Sequence, residues 1–189
     1  MRKLILTLLI GALIAGALFV APASAITIHG GTPAQQQYAL DTIQSCWMPY
    51  KAVERRLDQY GGVSVAFLDD LSDYGEGASG AAWHGHILVD EQYDEGNPYL
   101  GVIVAHEFAH QIWYVMAMSD RIAWMDSFGY GGDGWYLSPA EQFAECMRFA
   151  LFAQTRWYPP QTHMQVVSAE DCWAFIMTHY RVPWRITLH

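Results

Sequence analysis

The sequence predicts an α+β fold in a single domain, and three observations carry that expectation. Short β-branched or aromatic runs lie in the N-terminal half of the chain. Longer stretches with helix-capping residues dominate from residue 97 onward. Strands come first and helices after, without the strand–helix alternation that builds a fully parallel sheet. With 52% hydrophobic residues among 189, the chain has ample material for one core.

The first segment, "MRKLILTLLIGALIAGALFVAPASA", places Arg2 and Lys3 before an apolar run and closes on Ala23-Ser24-Ala25. That is the build of a signal peptide over 1–25, leaving one domain over 26–189. The alternative is a retained anchor, since Leu4 to Val20 is nearly long enough to span a bilayer. Both routes export the domain.

"ITIH" (26–29) predicts a short strand. "TPAQQQYALDTIQSCW" then opens a helix, with Thr32 as N-cap and Pro33 at the first helical position. "YKAVERRLDQYGG" continues or renews it and stops at Gly61-Gly62. "VSVAFLDD" (63–70) predicts a strand, "LSDYGEGASGAA" a loop, and "WHGHILVD" (83–90) another strand. Period two would put His84 and His86 on one face of that last strand, a metal-ligand spacing in its own right. "GNPYLGVIVAHEFAHQIWYVMAM" predicts a helix from the Asn97 cap to about Met118. "DSFGYGGDGWYL" (126–137) predicts a loop, "SPAEQFAECMRFALFAQ" a second capped helix, and "SAEDCWAFIMTHY" (168–180) a last one capped by Ser168.

Nineteen acidic against ten basic residues give a net charge of −9, which argues against nucleic acid or an anionic membrane as partner. Eight Trp and eleven Tyr predict an aromatic interior or an aromatic-lined groove. Three cysteines, Cys46, Cys146 and Cys172, none in a CxxC pair, predict one disulfide and one thiol in an oxidising compartment, with three pairings open. The acidic runs at 69–76 and 90–95 lack the EF-hand pattern and predict solvated loops. GxSxG, P-loop and dinucleotide fingerprints are absent, and nothing around Cys146 marks a nucleophile.

"VIVAHEFAHQIW" (102–113) is the informative stretch. On a helix, His106 and His110 lie one turn apart and only about 40° around the axis, so both imidazoles reach a single ion. Glu107 points to the neighbouring side, where it can take a proton from metal-bound water. The flanks are apolar, so the helix should be buried. Three polar side chains there would cost several kcal/mol (roughly) without a shared partner. A catalytic zinc site needs a third protein ligand and an open position. Trp113 and Met116 stand where a metzincin carries Gly and His, which excludes that class. Asp120, Asp126, Asp133, Glu141 and Glu145 remain candidates. Glu141 and Glu145 share a helical face, but Ser138-Pro139-Ala140-Glu141 also reads as a capping box that would fold Glu141 back onto its own helix end.

HEFAH followed by E-x-F-A-E resembles the gluzincin pattern of HExxH zinc metallopeptidases, and is similar to the catalytic domain of anthrax lethal factor-like proteases over about residues 82–150. The resemblance implies a zincin-like α+β fold: a small sheet, an active-site helix and a second, ligand-bearing helix. It implies Zn2+ held by His106, His110 and Glu141, with Glu107 as general base and Glu145 in the outer shell. It also implies an edge strand near "AAWHGHILVD" that pairs with extended substrate. The family's oxyanion tyrosine has no counterpart at the spacing it keeps, which falls on Gly134. Tyr136, with Tyr130 as second choice, is the candidate for that role. The expected activity is peptide-bond hydrolysis by an exported zinc metalloendopeptidase acting on a peptide or protein substrate. The alternative is a non-catalytic, zinc-stabilised extracellular binding domain.

Overall fold

The computed structural model describes residues 26–46, 57–58, 61–75, 77–128, 138–152 and 167–179. Four strands, β1 (Ile26–His29), β2 (Val63–Leu68), β3 (Gly80–Trp83) and β4 (His86–Asp90), form one sheet in the order β1-β2-β4-β3. Among the described residues five α-helices accompany it: α1 (Pro33–Gln44), α2 (Pro98–Val115), α3 (Met118–Phe128), α4 (Pro139–Leu151) and α5 (Ala169–His179). The α+β class therefore holds.

The sheet is mixed. β1 pairs parallel with β2 and β2 parallel with β4, while β3 runs antiparallel to β4 at the edge. Since α1 lies between two parallel strands, β1–α1–β2 is a strand–helix–strand unit, which the strands-first reading missed. Hydrophobic periodicity reports the faces of a strand and not its direction relative to a neighbour.

Helix starts follow the capping chemistry. Thr32 and Gln35 form a reciprocal capping box, the Thr32 hydroxyl accepting from the Gln35 N–H at 3.1 Å and the Gln35 side-chain Oε1 from the Thr32 N–H at 2.7 Å. Asn97 accepts from the Tyr99 N–H at 3.0 Å, Ser138 from the Glu141 N–H at 3.3 Å and Ser168 from the Asp171 N–H at 3.1 Å. α2 ends at Val115, and the chain turns through extended Met116 into α3. Nothing in the residue pattern predicts α3, and Asp126 to Phe128, expected in a loop, belong to it. Its one buried residue is Trp124, too little to write a helical stripe. The helix expected over "YKAVERRLDQYGG" falls largely outside the described residues.

The expected strand over 83–90 is in fact a hairpin. The chain reverses at His84-Gly85, with Gly85 at φ 82°, a backbone conformation glycine adopts without strain. Trp83 and His86 thereby become cross-strand partners with ring centroids 5.1 Å apart. His84 leaves the strand and lies 6.1 Å from the Tyr114 ring. The two imidazoles share no strand face, and His84 and His86 enter no metal-ligating cluster among the described residues. The alternation that suggested one strand ran unbroken across the turn. Gly80 to Ala82, expected in a loop, supply the edge strand.

The sheet turns Val63, Val65, Phe67, Ile87 and Val89 inward. α2 is buried along most of its length, burying Leu100, Val104, Ala105, Phe108, Ala109 and Ile112 between the sheet and α4. Trp124 closes the far side against Phe143 and Phe175, at ring distances of 5.2 and 5.1 Å. Cys146 of α4 is disulfide-bonded to Cys172 of α5, and Cys46 is a buried thiol. No described helix is long and apolar enough to cross a membrane.

The disulfide closes a loop of sequence separation 26. A Cys146→Ala/Cys172→Ala double variant should lose ~3.5 kcal/mol of unfolding free energy on the loop-entropy relation, measured by urea titration. A loss under ~1 kcal/mol would mean that α5 is held to α4 by packing alone.

Candidate metal centre

α2 and α4 cross with their polar residues facing each other. Glu141, in the first turn of α4, spreads its two carboxylate oxygens between the histidines of α2. One oxygen is 3.1 Å from His106 Nε2 and the other 3.2 Å from His110 Nε2. The Ser138 hydroxyl caps α4 through the Glu141 backbone N–H, while the Glu141 carboxylate faces the imidazoles rather than its own helix end.

Glu145, one turn further, meets the other side of the same ring, 3.1 Å from His106 Nδ1. Its carboxylate is clamped by Arg148, whose Nε donates at 2.9 Å to one oxygen while Nη2 donates to the other. Arg148 is fully buried and Glu145 nearly so. A buried guanidinium needs such a partner, and the fork fixes the carboxylate plane in return. Glu145 thus accepts from the Nδ1–H of His106, and Nε2 faces Glu141, donating to it while the ring is protonated and offering its lone pair to an ion once that proton leaves.

His106, His110 and Glu141 form a group able to hold a metal ion, each offering one ligand atom, all within 4.8 Å of one another. The 3.1 and 3.2 Å separations run to the two different oxygens of Glu141, so an ion held between both rings and the carboxylate would take the place of two hydrogen bonds. Charge points the same way. Three carboxylates, Glu107, Glu141 and Glu145, surround the imidazoles against one buried guanidinium. A proton on His106 closes part of that imbalance, and a divalent cation in its place would close it fully.

Protons compete for the same lone pairs. Burial disfavours the His106 imidazolium, but hydrogen bonds to Glu141 and Glu145 outweigh it and carry its pKa from 6.5 to about 10. Burial opposes ionisation of Glu141, yet the His106 and His110 hydrogen bonds take its pKa down to about 2. For Glu145, too, burial is outweighed, here by Arg148 first and His106 second, and its pKa falls to about 2. Glu107 goes the other way: burial raises its pKa, and the two imidazoles only partly offset that.

Of the other ligand candidates, Asp120 lies 3.7 Å from His179, and neither it nor Asp126 joins the cluster. Asp133, Tyr130, Tyr136 and Gly134 lie outside the described residues. Two residues of α2 went unnoticed in the sequence. Gln111 is buried and grips the hairpin turn, donating to the Trp83 and His86 carbonyls at 3.0 and 2.9 Å and accepting from the Gly85 N–H at 2.9 Å. Tyr114 donates to the Ala82 carbonyl at 3.2 Å. Their signal was present as polar atoms in an otherwise apolar helix. Gly80 of β3 completes this seam: a methyl group there would come within 2.8 Å of Glu107 Oε1 and 2.7 Å of the Ile103 side chain. The edge strand can lie against Glu107 because residue 80 has no side chain.

Compared with family models, curated proteins and solved structures, the chain matches none.

In chelator-treated protein the pKa shifts define a stability window. The His106 contribution is complete below about pH 6.5 and is lost as pH rises through about 10. The Glu141 and Glu145 contributions are complete above about 4.5 and are lost as pH falls through about 2. Glu107, raised by burial, loses its contribution as pH climbs above 4.5, so stability should peak toward the acid end of the window between pH 4.5 and 6.5. Metal binding near pH 8 should release about one proton per ion, the His106 proton, readable by calorimetry in buffers of different ionisation enthalpy. Uptake without proton release would place the ion elsewhere.

Proposed function

We propose that this chain is an exported zinc-dependent metalloendopeptidase, with His106, His110 and Glu141 as zinc ligands and Glu107 as general base. The observation that carries the reading is the convergence of two imidazoles and one carboxylate on one point, with a second buried carboxylate beside them. Two His and one carboxylate are a catalytic zinc donor set that leaves a fourth position open, and the charge imbalance favours a dication. Bound there, zinc would supply Lewis acidity toward a carbonyl and lower the pKa of a water.

The remaining work falls to the chain's own groups. Glu107, adjacent in sequence to one ligand and raised in pKa by burial, is placed to accept a proton from that water and return it to a leaving amine. Glu145, pinned by Arg148, holds the His106 ring in the tautomer that presents Nε2. β3 is an edge strand among the described residues, and it passes beside Glu107 at Gly80. An extended peptide that added to this edge by main-chain pairing would run past the base and the metal ligands. The leader-like segment 1–25 supports export.

Zinc analysis of the purified chain should give about one ion per molecule, lost in His110→Ala and Glu141→Ala. Cleavage of a mixed peptide library should fall by at least ~100-fold in Glu107→Gln while that variant keeps its zinc. A zinc-free protein, or a Glu107→Gln variant of undiminished activity, rejects the reading.

A further inference from the structure

Tyr114 follows His110 by four residues, as His110 follows His106, so the three side chains share one face of α2. The Tyr114 ring stacks against His110, with centroids 6.4 Å apart, and its hydroxyl donates to the Ala82 carbonyl at 3.2 Å. The direction of that carbonyl follows from the register. The Asp90 N–H donates to the Ser79 carbonyl, Gly80 pairs with Val89, and Ala82 pairs with Ile87. Main-chain groups alternate direction along an antiparallel strand. Ser79, Ala81 and Trp83 therefore turn toward β4, while Gly80 and Ala82 turn their N–H and C=O toward the open edge. The Tyr114 hydroxyl thus occupies an outward acceptor of the edge strand two residues from Gly80, the residue that touches Glu107.

We propose that Tyr114 is a substrate-positioning residue whose hydroxyl holds the Ala82 carbonyl until the main-chain N–H of an extended peptide takes its place. The inference rests on the peptidase reading for its ligand, an extended polypeptide, and on the geometry above for the latch. A buried or half-buried strand carbonyl left without a donor is costly, so the free edge is stabilised by the tyrosine and the occupied edge by substrate. The exchange also imposes a selection. Only a residue with an N–H can replace the hydroxyl, so proline, an N-methylated residue or an ester linkage at the position facing Ala82 forfeits the bond.

The test compares peptide affinity in the Glu107→Gln background, where bound peptide persists, with and without Tyr114→Phe. The probe is the library peptide that the wild-type chain cleaves fastest or, should it cleave none, the one that Glu107→Gln binds most tightly. Removing the competing hydroxyl should tighten binding about two- to tenfold, the value of one net hydrogen bond. In a series of single-ester analogues of that peptide, the gain should vanish at one position and persist at the others. Among cleaved peptides the effect should fall on KM rather than kcat. Unchanged or weaker binding in Tyr114→Phe, a gain indifferent to ester position, or an effect confined to kcat overturns the latch. So does a library in which no peptide binds either form. Absent cleavage combined with the ester-dependent gain would reject the peptidase reading and leave the latch standing.

Discussion

Glu141 reaching both His106 and His110 across the α2–α4 interface is the contact on which the rest of the molecule depends. α2 is apolar nearly all round, and its few polar side chains would oppose folding if they met only hydrocarbon. The fold meets them from two directions. α4 brings Glu141 and Glu145 to the histidines, and the β3–β4 hairpin brings main-chain groups to Gln111 and Tyr114. The polar side chains of α2 thus include the group able to hold a metal ion, and Gln111 and Tyr114 anchor the hairpin and edge strand beside it.

The two glutamates of α4 are one turn apart and chemically alike, yet their surroundings give them different work. Glu141 stands at the helix start, partly open and between two imidazoles. Glu145 is deeper and already committed to the Arg148 fork, and the oxygen that accepts from Arg148 Nε also takes His106 Nδ1. A carboxylate whose plane is fixed by a bidentate guanidinium orients a ring well and is poorly placed to reach an ion. The disulfide one residue on, between Cys146 and Cys172, ties this part of α4 to α5, so that Arg148 and Glu145 sit on a braced helix.

Much of this was written locally and was legible. The capping residues Thr32, Asn97, Ser138 and Ser168 start the helices where their side chains predict, because a cap is a contact between residues three apart or fewer. The helical spacing of HEFAH placed both imidazoles on one side of α2 for the same reason. What depended on contacts distant in sequence was not legible. His84 and His86 continued an alternating pattern straight through a reversal, so a hairpin looked like a strand. α3 hid because a single buried Trp124 writes no period. The choice between Glu141 and Glu145 stayed open on residue spacing alone, since both lie on one face of α4 and only the depth of the crossing with α2 separates them. Arg148, Gln111 and Tyr114 passed as helix filler, their partners being unknowable without the fold.

On the proposed reading, the buried α2–α4 cluster is a metal centre built from two imidazoles and a carboxylate. X-ray absorption at the zinc edge of the zinc-loaded chain tests it most directly. Two imidazole nitrogens are expected at ~2.0–2.1 Å with oxygen filling the remaining positions of a four-coordinate shell, and no such shell in His110→Ala, which loses the ion. A shell with sulfur, one without imidazole, or one unchanged by His110→Ala would contradict it.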